Sequence, residues 1–178
     1  MTEAVAVRDM LDREAIRDCI ARLARGEDRR SAQIIQGCWW PEARFDYGVH
    51  RGDFETYLGW VVPGSPTIRN TQHFIGQSVI ALSESHARAE THVLSYHRID
   101  LGAGDRDTCI GGRYLDRLEK RGAEWRIADR VMLYDWEQDW GDAADWSKGV
   151  MGYPFAGTHF TGRAHRDFSE DWFAGEMA

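Results

Sequence analysis

The chain has 178 residues, with 29 acidic against 22 basic side chains and a formal charge of −7. That length suits one domain around one core, and dispersed Lys and Arg under a net negative charge argue against nucleic acid as a partner. No run of about 18 apolar residues exists to cross a membrane, and Met1-Thr2-Glu3-Ala4-Val5 lacks the pattern of a secretory leader, so a cytoplasmic location is expected.

From Val7 to Arg25 the apolar residues Val7, Met10, Leu11, Ile16, Ile20, Leu23 and Ala24 mostly recur at three- and four-residue intervals, which predicts an amphipathic helix. Asp9 or Asp12 is the expected start signal and Gly26 the stop, leaving Asp28 at a helix-to-helix junction. A short second helix is predicted over 31–39, capped by Ser31 and ended before Pro41. A short strand follows over 43–48, then a third helix over 53–61 capped by Asp53.

After Pro66 the pattern changes, because Thr, Val, Ile, Tyr and His alternate with polar residues and turn signals arrive at hairpin spacing. Four long strands are predicted at 68–82, 86–101, 108–119 and 124–136, with short connections that imply antiparallel neighbours. Helices first and a meander afterwards is the α+β pattern. A long sheet must curl around the helices to bury its apolar face, giving a cone-shaped α+β barrel with a pocket at its open end.

Residues 1–140 form the cone in this reading. Residues 141–178 form an extension of the same domain, with Phe155, His159, Phe160, His165, Phe168, Trp172 and Phe173 among polar residues. It is too aromatic for a disordered tail, so it is expected to cover the pocket or a subunit boundary. Eight tryptophans are many for this length. Trp125 and one of Trp39 or Trp40 read as core, whereas Trp136, Trp140, Trp146 and Trp172 are expected to line or cover a pocket or to pack on a neighbouring subunit. Cys19, Cys38 and Cys109, odd in number and without Cys-x-x-Cys spacing, read as buried thiols.

Three scattered residues carry most of the functional signal: Asp28 in Gly26-Glu27-Asp28-Arg29-Arg30, His73 in Asn70-Thr71-Gln72-His73-Phe74, and Arg130 in Trp125-Arg126-Ile127-Ala128-Asp129-Arg130. Their order, with Gly111-Gly112-Arg113-Tyr114-Leu115-Asp116 between them, resembles the SnoaL-like branch of the nuclear transport factor 2-like superfamily over roughly residues 8–135. Within it, the resemblance is to hexachlorocyclohexane dehydrochlorinases, bile-acid dehydratases and diarylpropane lyases. It implies an Asp28–His73 acid–base dyad inside the cone, Arg130 as the partner of a departing anion, and a homo-oligomer, dimer or trimer. One departure stands out: where dehydratase-like members often carry a Tyr five positions before the Asp, this chain has Leu23.

The chemistry of the dyad is coherent. A neutral imidazole with a reference pKa of about 6.5 is a competent base near neutrality, and a carboxylate on its other nitrogen fixes the tautomer. An arginine fork suits a leaving anion or oxyanion in a dry cavity. Each residue also has an ordinary reading: Asp28 as a cap, His73 as a core histidine, Arg130 as a solvated strand residue. Tyr47, Tyr114, His97 and Trp60 are further substrate-binding candidates. The strand period puts His92 and Tyr96 on one face and Ser95 and His97 on the other, without saying which is inward. No metal site is expected, because His92 and His97 point to opposite faces and no other ligand completes a set. Gly102-x-Gly104 and Gly111-Gly112 are not nucleotide loops, so no cofactor is expected. The function implied is a lyase that eliminates water, halide or a small carbonyl fragment such as formaldehyde from a hydrophobic aromatic molecule, for example a lignin-derived dimer. An isomerase, a polyketide cyclase or a non-catalytic binding scaffold are the alternatives.

Overall fold

The computed structural model describes residues 2–156 and 167–174. The elements run α1 (Glu3–Arg29), α2 (Ala32–Gln36), β1 (Trp39–Asp46), β2 (Arg51–Asp53), α3 (Phe54–Val61), β3 (Ile68–Ser83), β4 (His86–Asp100), β5 (Asp105–Arg121), β6 (Glu124–Asp142) and α4 (Phe168–Ala174). One six-stranded sheet, in the order β2-β1-β6-β5-β4-β3, curls around α1 and α3. This is the α+β cone that the sequence pattern predicts.

Two features of α1 differ from the sequence reading and both bear on the site. The helix does not stop at Gly26 but runs on to Arg29, with Arg30 as a left-handed C-cap at φ 50°. Gly26 instead permits close packing, since a Cβ there would lie 3.0 Å from the side chains of Ile34 and Ile35. Asp28 therefore sits in the last turn of α1, not at a junction. The buried stripe is Asp12, Ile16, Cys19, Ile20, Leu23, Ala24 and Glu27, at helical spacing, whereas Val7, Met10 and Leu11 stay exposed on the first turns. Asp12 is thus a buried residue and not a cap.

The sheet is mixed, not wholly antiparallel. The β3-β4-β5-β6 meander is antiparallel throughout, but β1 runs parallel to β6, with Phe45 opposite Arg130. No hairpin joins β1 to β6, so no local turn signal dictates their relative direction. β1 starts at Trp39 and takes Pro41 within it, and Asp53 caps α3 by accepting from the Thr56 amide at 2.9 Å.

The core joins Ile16, Ile20 and Leu23 of α1 to Trp39, Tyr57, Leu118 and Ile127, with Trp125 and Trp40 at its margin. All three cysteines are buried free thiols. The Gly111-Gly112 pair has a steric reason: a Cβ on Gly111 would lie 2.2 Å from the Trp136 indole, and one on Gly112 would lie 2.2 Å from the Leu133 carbonyl. Between them the β5-β6 register slips by one residue, and this bulge carries Trp136 to the outer face beside Phe74 and His92, away from Arg130, Met132 and Tyr134.

From residue 140 onward, Trp140 stacks on Tyr96 and Trp146 on Phe155. The C-terminal segment meets α1 through Asp167, just before α4, with Arg29 at 2.9 Å, and through Ser169 of α4, which accepts from Arg25. Among the described residues none from 141 onward lines the main cavity. Of the aromatic extension, His159, Phe160 and His165 lie outside the described residues.

Candidate active site

The open end of the cone holds a cavity of about 250 Å³ walled by α1, α3 and the inner faces of β3 to β6. Val49, Trp60 and Tyr134 are partly exposed at its mouth, while Glu27, Tyr57 and Tyr114 close its depth. Its surface is largely apolar and aromatic, with a few convergent polar groups, as a small-molecule site requires.

Alternation along β3 turns His73 inward with Thr71, and α1 presents Asp28 to it from below. His73 Nδ1 lies 2.7 Å from Asp28 Oδ1, and the His73 backbone amide donates to both carboxylate oxygens at 3.1 and 3.2 Å. The double contact locks ring and carboxylate together. Both side chains are about 11 % exposed. His73 is on the cavity wall, and Asp28 stands behind it.

A second carboxyl approaches the other ring nitrogen. Glu27 Oε2 is 3.7 Å from His73 Nε2, while Glu27 Oε1 accepts from the Tyr57 hydroxyl. Glu27 is buried on the cavity wall, and its Oε2 accepts no hydrogen bond. The sequence reading passed over it. Burial works against the charged imidazole, but the Asp28 hydrogen bond and the charges of Glu27 and Asp28 outweigh it, so His73 is held above its ordinary pKa. His97, whose ring stands edge-on to His73 at 6.3 Å, goes the other way: burial, then the neighbouring His73 charge, push it down to about 4.

Arg130 is placed differently from the sequence expectation. It is 1 % exposed and stands behind the wall, with Nε and Nη2 bonded to Asp116 at 2.7 and 2.9 Å, the residue directly opposite in the β5-β6 register. The Tyr114 ring covers it, with Cζ 3.9 Å from the ring centroid, and Nη1 lies 3.9 Å from Glu27 Oε1. Its fork is engaged by Asp116, and the cavity-lining residues it meets are Tyr114 and Glu27. The Gly-Gly-x-Tyr-x-Asp segment thereby gains a role, since its Tyr covers the guanidinium and its Asp binds it.

Tyr47, Tyr114, His97 and Trp60 all line the cavity. Burial, reinforced by Glu27 and neighbouring tyrosines, keeps the phenols of Tyr57 and Tyr114 well above their ordinary range, and burial does the same for Tyr47. They remain O–H donors at neutral pH. Trp60 stacks on Phe45 at 6.1 Å and meets Tyr47 edge-on at 5.4 Å, which fixes it as a flat wall at the mouth. On β4 it is Ser95 and His97 that face inward, while His92 lies in a groove on the outer face. Among the described residues no group of three or more His, Cys, Asp or Glu is arranged to hold a metal ion.

A SnoaL-like domain model matches residues 8–131. The chain belongs to the SnoaL-like family. Solved structures with the same fold include a type 2 hexachlorocyclohexane dehydrochlorinase (LinA), at TM-score 0.70 and 18 % identity over 87 % of this chain and 99 % of the other. A LinA type 3 dehydrochlorinase from Novosphingobium barchaimii follows at TM-score 0.69 and 17 % identity, over 85 % and 98 % of the two chains. A protein described as a putative scytalone dehydratase from Novosphingobium aromaticivorans aligns at TM-score 0.64 and 18 % identity, over 76 % and 92 %. A comparison with curated proteins by sequence finds no match. At these identities the likeness establishes the fold. Among the described residues no helix is long and apolar enough to cross a membrane.

Proposed function

We propose that this protein is a cofactor-independent lyase that eliminates water, a halide or a small carbonyl fragment such as formaldehyde from a hydrophobic aromatic small molecule, of which a lignin-derived dimer is an example. The observation that carries this reading is the 2.7 Å contact between His73 Nδ1 and Asp28, with the ring on the wall of an apolar, aromatic cavity. His73 moves the proton and Asp28 fixes its orientation and stabilises its charged form. Trp60, Tyr47, Tyr114 and His97 hold the substrate, the aromatic walls by stacking and the phenols and neutral imidazole by hydrogen bonds. Arg130 supports the site from behind, balancing Asp116 and Glu27.

A phenolic benzylic alcohol fits such a site chemically. Loss of its hydroxyl gives a quinone methide, which accepts the electrons of a second bond cleavage without a cofactor. The dehydrochlorinase and dehydratase named among the structural neighbours make eliminations a natural first class to test. An isomerase or cyclase would reuse the same groups but release no fragment. The test is a screen of phenolic benzylic alcohols and their halide counterparts with mass-spectrometric detection of products, without added metal, flavin or nicotinamide. Loss of water, halide or formaldehyde is expected; a product of unchanged mass would move the assignment to an isomerase or cyclase, and the absence of any product across the panel would favour a binding module.

The outer face of the sheet exposes Phe74, Val79, Leu94 and Trp136, and burial of such a face provides a reason for self-association. We expect a dimer or trimer, to be read by light scattering; a monomer at micromolar concentration would contradict it.

A further inference from the structure

The polar end of the cavity contains more acid than an orienting dyad requires. Asp28 is bonded to His73 Nδ1, yet a second buried carboxyl, Glu27, faces Nε2 with one oxygen that accepts no hydrogen bond. An unmade bond on a buried carboxyl costs stability, and such a group beside a titratable ring marks a place for chemistry. The charges make the point sharper. Two carboxyls, Glu27 and Asp116, approach one guanidinium, Arg130, whose fork is turned to Asp116, while Glu27 and Asp28 both approach the His73 ring. The cluster favours a second positive charge, and His73 is the group placed to carry it.

We propose that Glu27 is a second catalytic residue of this site, acting as the base while His73 acts as the acid, and that the group they expel is a hydroxyl leaving as water. This rests on the elimination reading above and assigns its proton traffic. His73 Nε2–H donates its proton to the hydroxyl oxygen as the C–O bond breaks and the electron pair leaves with the water. Glu27 Oε2 takes a proton from the substrate, either from the adjacent C–H, whose electrons form the new double bond, or from a terminal hydroxymethyl group. In the second case the C–C bond breaks, formaldehyde leaves, and the electrons of that bond form the new double bond to the carbon that loses the hydroxyl. Either way one proton has moved from His73 to the leaving oxygen and one from the substrate to Glu27. When product departs, Glu27 and Nε2 face each other again across 3.7 Å, and the proton returns without a trip to solvent.

The preference for oxygen over halide follows from the same geometry. A chloride needs no proton, and beyond His73 the nearby guanidinium groups are already engaged. The buried guanidinium behind the wall is bound to Asp116, and Arg30, on the wall, turns Nη1 and Nη2 to the carbonyls of Pro63, Ser65 and Ile68. A hydroxide is a poor leaving group that needs the proton His73 offers. The Asp28 hydrogen bond and the Glu27 and Asp28 charges, which outweigh burial and hold His73 above its ordinary pKa, favour the protonated ring.

The test combines a titration that needs no substrate with a kinetic comparison. In the full-length wild-type protein, NMR of the His73 ring should show a midpoint above 6.5 and both nitrogens protonated just below it. The groups facing the ring are Glu27 and Asp28 from α1, His97 from β4 and Arg130 from β6, so Glu27→Gln should lower that midpoint while Asp28 stays in place. A wild-type midpoint at or below 6.5, or one indifferent to Glu27→Gln, would overturn the assignment even if no substrate were known. With matched substrates differing only in hydroxyl or chloride, Glu27→Gln should lose about 10²–10⁴ in kcat on both. His73→Gln should lose that much on the alcohol and markedly less on the chloride. Wild-type turnover with an unimpaired, folded Glu27→Gln variant would sink this inference while leaving the lyase reading intact; no wild-type turnover of either substrate would sink both.

Discussion

Helix α1 buries acid at two places, and the two are built to opposite ends. Near its start, Asp12 accepts from Lys120 Nζ at 2.6 Å and from Trp125 Nε1 at 2.9 Å. Near its finish, Glu27 and Asp28 enclose a histidine, and one buried Glu27 oxygen is left without a hydrogen bond. The first arrangement is closed: a carboxylate, a cation and a neutral donor, bonded to one another. The second is open: its cation is engaged by Asp116, its extra carboxyl faces a titratable ring, and the ring lines a pocket. A closed buried charge serves the fold, whereas one left incomplete beside a cavity marks a site for chemistry.

The comparison breaks first at Arg130. Replacing it with Met leaves Asp116 and Glu27 buried without their cation, and loss of one partner of a buried pair costs about 3–5 kcal/mol. Denaturant unfolding of Arg130→Met should show that loss; a variant as stable as wild type but catalytically dead would instead return Arg130 to the direct anion-binding role read from the sequence. Asp28→Asn is expected next. It keeps the shape but weakens the fixed tautomer and the compensation of His73, costing about 10² in kcat with little change in melting temperature. Equal loss of stability and rate would make Asp28 part of the frame only.

At the closed end, Asp12→Asn should lower stability by about 1.5–3 kcal/mol, the worth of hydrogen bonds to a charged group, and leave kcat unchanged. Burial raises the Asp12 pKa, but the Lys120 and Trp125 hydrogen bonds and the Lys120 charge outweigh it, so the group is held below its ordinary 3.8. Its contribution is therefore present above about pH 3.8 and is lost as pH falls through the lower folded value. The wild-type advantage over Asp12→Asn should shrink on acidification in that window. His97 is the cavity's counterpart: its pKa falls from 6.5 to about 4, so the stability of the neutral ring is present above 6.5 and lost as pH drops towards 4. His97→Asn should flatten that acid limb, and an unchanged limb would place the titration elsewhere. The smallest effect belongs to Trp60→Ala, where losing one stacked wall removes about 1 kcal/mol of binding, roughly fivefold in KM, with kcat preserved.

Much of this was legible in the sequence because it is local. Period-two alternation and turn residues located β3 to β5 closely, and Asp53 announced the start of α3. The Asp28–His73 contact came from the order of weak motifs and not from any one of them. What escaped was non-local. Gly26 reads as a helix stop until Ile34 and Ile35 are seen packed against it; with α1 ended there, Glu27 is merely a loop residue. The parallel pairing of β1 with β6 has no turn to signal it. Arg130 looked like a free fork because Asp116 lies a whole hairpin away, and the face that Trp136 occupies was left open because one bulge reverses the count.

The most direct test of the account is the turnover of His73→Ala against wild type on the best alcohol substrate from the panel, with folding of both checked by circular dichroism and melting. The account predicts a folded variant whose kcat is lower by about 10²–10⁴. A folded His73→Ala protein that releases product at the wild-type rate would contradict it and move the chemistry out of this cavity.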